Sequence, residues 1–234
     1  MLLPELFLAS RAGVTEYNSG IDSFKECRDK AHYLEYPHQI SYQFNSRGFR
    51  DREWPSDLQS AIWCLGDSFT AGVGSPINHT WARQVELTNK QPTINVSLDG
   101  ASNDWIARRA CNIILTVQPR NMIIMWSYVH RREDPDTKLS DEDRRVGSLN
   151  GATELEDQTN FQTCISLIEQ SSTNIVHFII PLAYAAAHNN SIAKDWLPDY
   201  IKEVPQLDFA RDGHHFDILT SQWVAQRAAS ELIL

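Results

Sequence analysis

The chain alternates short apolar runs with longer stretches in which apolar residues recur every three or four positions. Short runs of about four to eight residues bounded by turn formers read as buried strands, and the longer periodic stretches read as amphipathic helices. Four runs are strongly apolar: Ala61–Gly66, Thr93–Leu98, Met122–Ser127 and Asn174–Pro181. A weaker fifth spans Gln206–Ala210. Helical periodicity covers Trp81–Thr88, Asp104–Val117, Leu155–Gln170 and Leu219–Leu232. This alternation predicts βα units around a mostly parallel five-stranded sheet, an α/β fold whose site lies at the carboxyl ends of the strands.

Three segments fall outside that rhythm. Residues 1–44 have no sustained periodicity and read as an N-terminal extension packed on or beside the core, with residues 45–234 forming the main domain. The stretch from His130 to Asn160 is dense in charge without an apolar face, which predicts an exposed loop or lid. Leu182–Tyr200 is irregular and could border a cleft at the end of the fourth strand.

Composition narrows the function. A chain of 234 residues with 42% hydrophobic residues can close one sizeable core. Its formal charge of -9, from 30 acidic and 21 basic residues, repels phosphate backbones and anionic membrane surfaces, so no nucleic-acid partner is expected. Cys27, Cys64, Cys111 and Cys164 are scattered without a CxxC pair, which reads as reduced cysteines rather than a disulfide or zinc framework. The N-terminal stretch "MLLPELFLASRAG" lacks a basic n-region, and no run reaches the roughly 20 apolar residues of a membrane span. A cytoplasmic protein without a transmembrane segment is the expectation.

Candidate chemistry begins where the first apolar run breaks into Gly66-Asp67-Ser68. A serine hydroxyl needs a base to become a nucleophile at neutral pH. In "ARDGHHFD", Asp212 and His215 stand three residues apart, so the carboxylate can fold back to orient the imidazole that would take the serine's proton. The competing reading makes Ser68 a helix N-cap. Asp67 reads as a structural cap, His214 as a cleft or surface neighbour, and Arg131 with Glu133 as a pair. A zinc site from Asp212, His214, His215 and Asp217 is disfavoured because ligands so close in sequence rarely converge.

GDSFT after a strand, with DGHH near the C-terminus, resembles the SGNH/GDSL family of hydrolases. "NSRGFRDRE", from Asn45 to Glu53, is similar to a segment that often precedes GDSF in such proteins, so the likeness runs from about Asn45 to the C-terminus with gaps. The resemblance implies a three-layer α/β/α flavodoxin-like fold and an esterase with Ser68 as nucleophile, His215 as base and Asp212 as its orienter. It further implies an oxyanion hole from the backbone amides of Ser68 and of Gly100 in "NVSLDGASND", with no cofactor and no metal. The family's GxND block is absent, because the third strand ends "IIMWSYVHRRE".

Asn103 is the expected substitute oxyanion donor, with His130 or Arg131 contributing from the third loop. Trp196 is the ring to test against substrate, with core packing as its competing reading. The leading expectation is an esterase acting on an acyl or acetyl ester of a small molecule or carbohydrate. Two alternatives stand beside it: a catalytically weak carbohydrate-binding or structural module, and an acyltransferase using the same triad.

Overall fold

The computed structural model describes residues 6–17, 22, 23, 25, 40–133, 153–181 and 196–233. A two-stranded antiparallel hairpin, β1 (Thr15–Glu16) with β2 (Tyr42–Gln43), precedes the main sheet. The main sheet contains β3 (Ile62–Gly66), β4 (Thr93–Ser97), β5 (Asn121–Trp126), β6 (Asn174–Ile179) and β7 (Lys202–Glu203), ordered β4-β3-β5-β6-β7 with every pairing parallel. This is the flavodoxin-like order of a doubly wound sheet.

Every residue of β3, β4 and β5 is buried, so both faces of the sheet centre are covered. The helices pair off: α2 (Trp81–Asn89) packs with α5 (Ile218–Ala229), and α3 (Asn103–Thr116) with α4 (Glu154–Glu169). A further helix, α1 (Ser68–Ala71), is a single turn hung directly on the end of β3. The core joins Trp63, Trp81, Trp105 and Trp126 with aliphatic residues of the strands, and it takes in Leu6 and Leu8 from the N-terminal extension. Among the described residues no helix is long and apolar enough to cross a membrane.

The four strong strands fall within a residue or two of their expected places, and the fifth is displaced. Gln206–Ala210 forms no strand, because its backbone is used elsewhere. The N–H groups of Leu207 and Asp208 bond the Thr220 hydroxyl at 3.0 and 3.3 Å, and the Asp208 carboxylate accepts the N–H groups of Leu219 and Thr220 at 2.6 and 3.0 Å. The segment therefore ties off the exposed amides at the start of α5. The fifth strand is instead the two-residue β7, paired with Phe178 and Ile179.

The charged loop expected from His130 to Asn160 is also shorter on its C-terminal side. α4 starts at Glu154, where a capping box joins Thr153 and Glu156. Residues 134–152, 182–195 and Cys27 lie outside the described residues.

Candidate active site

The end of β3 presents Ser68 because of its neighbours. A Cβ on Gly66 would sit 2.1 Å from Thr70 Oγ1 and 2.8 Å from the Met125 carbonyl, so only glycine lets α1 fold back so tightly against β5. The N-cap of α1 is Asp67, whose Oδ1 accepts the Phe69 N–H at 3.0 Å. Ser68 is thereby the first residue of the helix and its side chain is free of capping duty.

That hydroxyl lies 2.8 Å from His215 Nε2, and His215 Nδ1 lies 2.5 Å from Asp212 Oδ2. Asp212 Oδ1 accepts the backbone N–H groups of His214 and His215, both at 3.1 Å. Burial pushes the Asp212 carboxyl up, but the bond from His215, that ring's charge and the two amides outweigh it and hold the group below its usual value. All three side chains are nearly enclosed, at 4% exposure for Ser68, 3% for His215 and 2% for Asp212. Phe69 covers the imidazole with ring centroids 4.5 Å apart, and Phe216 packs on Phe69 at 4.8 Å.

Gly100 follows β4, the neighbour of β3, with Gly66 in register with Ser97. Its φ of +73° turns the chain toward α3. Neither its N–H nor that of Ser68, orphaned as a first helical residue, meets an acceptor among the described residues.

Asn103 departs from its expected role. It is fully buried, its Nδ2 donates to the Tyr128 carbonyl at 2.9 Å, and its Oδ1 accepts the Ser127 N–H at 3.0 Å. Its amide is committed to holding the loop after β5 against the start of α3. Arg131 is likewise committed: it donates to Asp67 Oδ2 and Ser127 Oγ, each at 3.2 Å, and lies over the Tyr128 ring at 4.9 Å. It does not pair with Glu133, which takes two bonds from Arg108 at 2.5 and 3.0 Å.

The Asp67 carboxylate, fully buried behind the serine, also receives the Ser127 hydroxyl at 2.5 Å. Asp67, Ser127 and Arg131 thus form a closed triangle where the loop after β5 meets the serine turn. His130 is half-buried beside Tyr128, ring centroids 5.6 Å apart. Trp196 is partly buried, packing edge-on against Phe161 at 5.8 Å on the outside of the core, the side of the competing reading for that ring.

The four residues of the zinc alternative have separate partners. Asp212 serves His215, Asp217 bonds His79 Nδ1 at 2.8 Å, and His214 Nε2 lies 3.1 Å from the Tyr128 hydroxyl. No group of three or more His, Cys, Asp or Glu among the described residues could hold a metal ion. Burial, then the charge of His215, pushes the His214 pKa down, and burial followed by Asp67 pushes Tyr128 up.

Sequence reasoning missed the Asp67–Ser127–Arg131 triangle and the Tyr128–His214 contact, since both join loops far apart in the chain. It also missed how Ser75 holds the loop after His215, donating to the Phe216 carbonyl at 2.9 Å and lying 3.0 Å from Asp217 Oδ1.

No family model matches the sequence, and no curated protein matches it. Among solved structures, the neighbours are GDSL-family lipolytic proteins and esterases. A lipolytic protein of the G-D-S-L family from Desulfitobacterium hafniense DCB-2 is 16% identical, with a TM-score of 0.48 over 74% of this chain and 99% of that one. A family two carbohydrate esterase from Clostridium thermocellum is 14% identical, with a TM-score of 0.48 over 82% of this chain and 66% of that one. A G-D-S-L family protein from Veillonella parvula DSM 2008 is 18% identical, with a TM-score of 0.43 over 73% and 97%. At such identities and TM-scores these likenesses concern chain path, and the functional reading rests on the side chains themselves.

Proposed function

We propose that this protein is a serine esterase of the SGNH/GDSL type that cleaves a carboxylic ester through an acyl-enzyme. The observation that carries the reading is the 2.8 Å approach of Ser68 Oγ to His215 Nε2, with the opposite ring nitrogen 2.5 Å from Asp212. A nucleophile, a base and an orienter in hydrogen-bonded series are what acyl transfer requires.

In the first half-reaction Ser68 Oγ attacks the ester carbonyl carbon as its proton passes to His215 Nε2. The carbonyl electron pair moves to oxygen, and the oxyanion is received by the backbone N–H groups of Ser68 and Gly100. Such donors stabilise the transition state because they are aimed before the charge develops. Collapse of the tetrahedral species breaks the ester C–O bond, and the imidazolium returns its proton to the leaving alkoxide. Water then repeats the sequence against the acyl-serine, with His215 again taking and returning the proton. Throughout, Asp212 accepts from Nδ1–H, which fixes the tautomer and offsets the imidazolium charge. Substitution of water by another hydroxyl at the second step would give acyl transfer from the same intermediate.

The test is labelling of the purified protein with a serine-directed fluorophosphonate and hydrolysis of p-nitrophenyl acetate. Ser68→Ala should abolish labelling, and both Ser68→Ala and His215→Ala should cut turnover by about four orders of magnitude or more. A folded wild-type protein that neither labels nor hydrolyses the ester would overturn the esterase and favour the binding-module alternative.

A further inference from the structure

Behind the triad lies a set of buried polar groups that acyl transfer itself does not use. Tyr42, Arg50, Asp22 and Arg211 are each no more than 4% exposed, and three of them come from the part of the chain that precedes the main sheet. Arg50 lies over the Tyr42 ring at 3.9 Å. Its guanidinium donates to the Ala71 carbonyl at 2.9 Å, the Ser75 carbonyl at 2.8 Å and the Gly72 carbonyl. It thus gathers the backbone that leaves α1, the helix carrying Ser68.

The Tyr42 hydroxyl donates to Asp22 Oδ2 at 2.7 Å and accepts the Gly74 N–H at 2.7 Å. Asp22 Oδ2 also receives Arg211 Nη2 at 2.8 Å, and the Arg211 N–H donates to the Gly74 carbonyl at 3.0 Å. Gly74 is therefore held on both sides, by Tyr42 through its N–H and by the residue before Asp212 through its C=O. Burial, together with Asp22, raises the Tyr42 pKa despite the nearby Arg50, which keeps the phenol protonated and donating.

Ser68 and His215 are brought together from positions 147 residues apart in the chain, on a helix turn and a loop that share no secondary structure. Their separation is set by whatever fastens the Gly72–Ser75 segment to the Ala210–Asp212 segment. We propose that Tyr42, Arg50 and Asp22 are positioning residues that hold the Ser68 turn and the Asp212–His215 loop in reacting register, so that the N-terminal extension is part of the working site. The inference rests on the acyl-transfer reading for its kinetic consequence. Buried side chains that bond several backbone groups at once restrict the segments they join, and a misplacement of about 1 Å at a reacting pair can cost on the order of 100-fold in rate.

Tyr42→Phe is the sharpest test, because it keeps the ring beneath Arg50 and removes only the oxygen that joins Gly74 to Asp22. Three readouts are compared with wild type well below either melting temperature. They are the fluorophosphonate labelling rate, the kcat and KM for p-nitrophenyl acetate, and the low-field Nδ1 proton resonance of His215 by NMR. The expected result is a fall of about 10- to 100-fold in labelling rate and kcat, a KM within about two-fold, and a shifted or broadened His215 resonance. Arg50→Lys, which keeps the charge and loses the fork that reaches three carbonyls, should act in the same direction and serves if Tyr42→Phe does not fold. Wild-type labelling rates and an unmoved resonance in the folded variant would overturn the inference. If wild type itself does not label, the esterase reading falls, and the His215 resonance alone decides the positioning role: shifted supports it, unmoved overturns it.

Discussion

Between pH 4 and 6.5 two buried groups pull the stability of this fold in opposite directions. His177 in β6 is 5% exposed, accepts the Trp126 indole N–H on Nδ1 at 3.1 Å and meets the Tyr200 ring edge-on at 5.4 Å. Burial pushes its pKa from 6.5 down to about 4. Asp51 is 6% exposed and accepts the N–H groups of Asn95 and Arg52 at 2.8 and 2.9 Å, with Arg83 at 3.5 Å. Burial outweighs those partners and pushes it from 3.8 up to about 6.

The signs follow from proton binding. Folded His177 binds its proton less readily than the unfolded chain does, so its contribution is complete above pH 6.5 and disappears as the pH falls to about 4. Folded Asp51 binds its proton more readily, so its contribution is complete below pH 3.8 and is lost as the pH rises through about 6. At about 1.4 kcal/mol per pH unit, each is worth about 3 kcal/mol, and in wild type the two nearly cancel. His177→Gln, which keeps an oxygen for Trp126, should gain about 3 kcal/mol relative to wild type on going from pH 6.5 to 4. Asp51→Asn should gain about as much relative to wild type on going from pH 4 to 6, whatever constant offset its lost acceptor brings. Urea denaturation at closely spaced pH values measures both differences, with the other carboxylates common to variant and wild type. A difference flat to within about 1 kcal/mol for either variant, or an NMR midpoint for His177 near 6.5, would refute the reasoning.

Three further outcomes can be checked with the same preparations. Asn103→Ala strands the buried Ser127 N–H and takes one of two donors from the Tyr128 carbonyl, which keeps the Arg131 N–H, so it should cost about 1–3 kcal/mol by denaturation, while a loss below about 0.5 kcal/mol would show that the loop after β5 does not depend on that bracket. Arg131→Met removes the cation from the fully buried Asp67 carboxylate; because the arginine is itself partly in solvent, a loss of about 1–3 kcal/mol is expected, and an unchanged melting temperature would dismiss the triangle as incidental. Gly100→Ala places a Cβ at a φ of +73° and should cost about 1–2 kcal/mol of stability and lower kcat for p-nitrophenyl acetate more than it alters KM, whereas unchanged kcat would remove Gly100 from the oxyanion hole.

How much of this could be read from the sequence depends on how local each signal is. β3, β4 and β5 are buried on both faces, so they appear as uninterrupted apolar runs that periodicity finds at once. β7 is two charged residues, Lys202 and Glu203, and has no such signature, so the nearby Gln206–Ala210 was the more attractive strand on pattern alone. The Asp212–His215 contact lies within one turn of chain and was legible from spacing. The start of α4 was legible too, since helical periodicity from Leu155 lies one residue from the observed Glu154, although the charged stretch read as loop overran it to Asn160. Asn103 and Arg131 were expected to face substrate because nothing in the sequence showed the buried groups they serve, namely the backbone of Ser127 and Tyr128 and the carboxylate of Asp67. The bracket of Tyr42, Arg50 and Asp22 was wholly hidden, since its bonds span 20 to 32 residues to one another and to the Ser68 turn, and it begins in a segment without periodicity.

The strand order explains both where the site lies and why it needs such fastening. From β3 the chain moves outward to β4, then crosses back past β3 to β5 and continues outward to β6 and β7. The connections leaving β3 and β5 therefore run in opposite directions, which opens a crevice at the carboxyl ends of those two strands. Ser68 follows β3 and Ser127 follows β5, so both flank that crevice directly, while Gly100 reaches it from the adjacent β4. His215 has no such advantage, because it arrives from beyond β7 at the opposite edge of the sheet. A loop that must cover that span would lose considerable conformational freedom on being fixed. In this protein the cost is met by contacts at successive points of the loop: Arg211 on Gly74, Phe216 and Asp217 on Ser75, and Asp208 on the start of α5. All but the last anchor it to the Gly72–Ser75 segment that leaves α1, so whatever fixes that segment also fixes the approach of imidazole to hydroxyl.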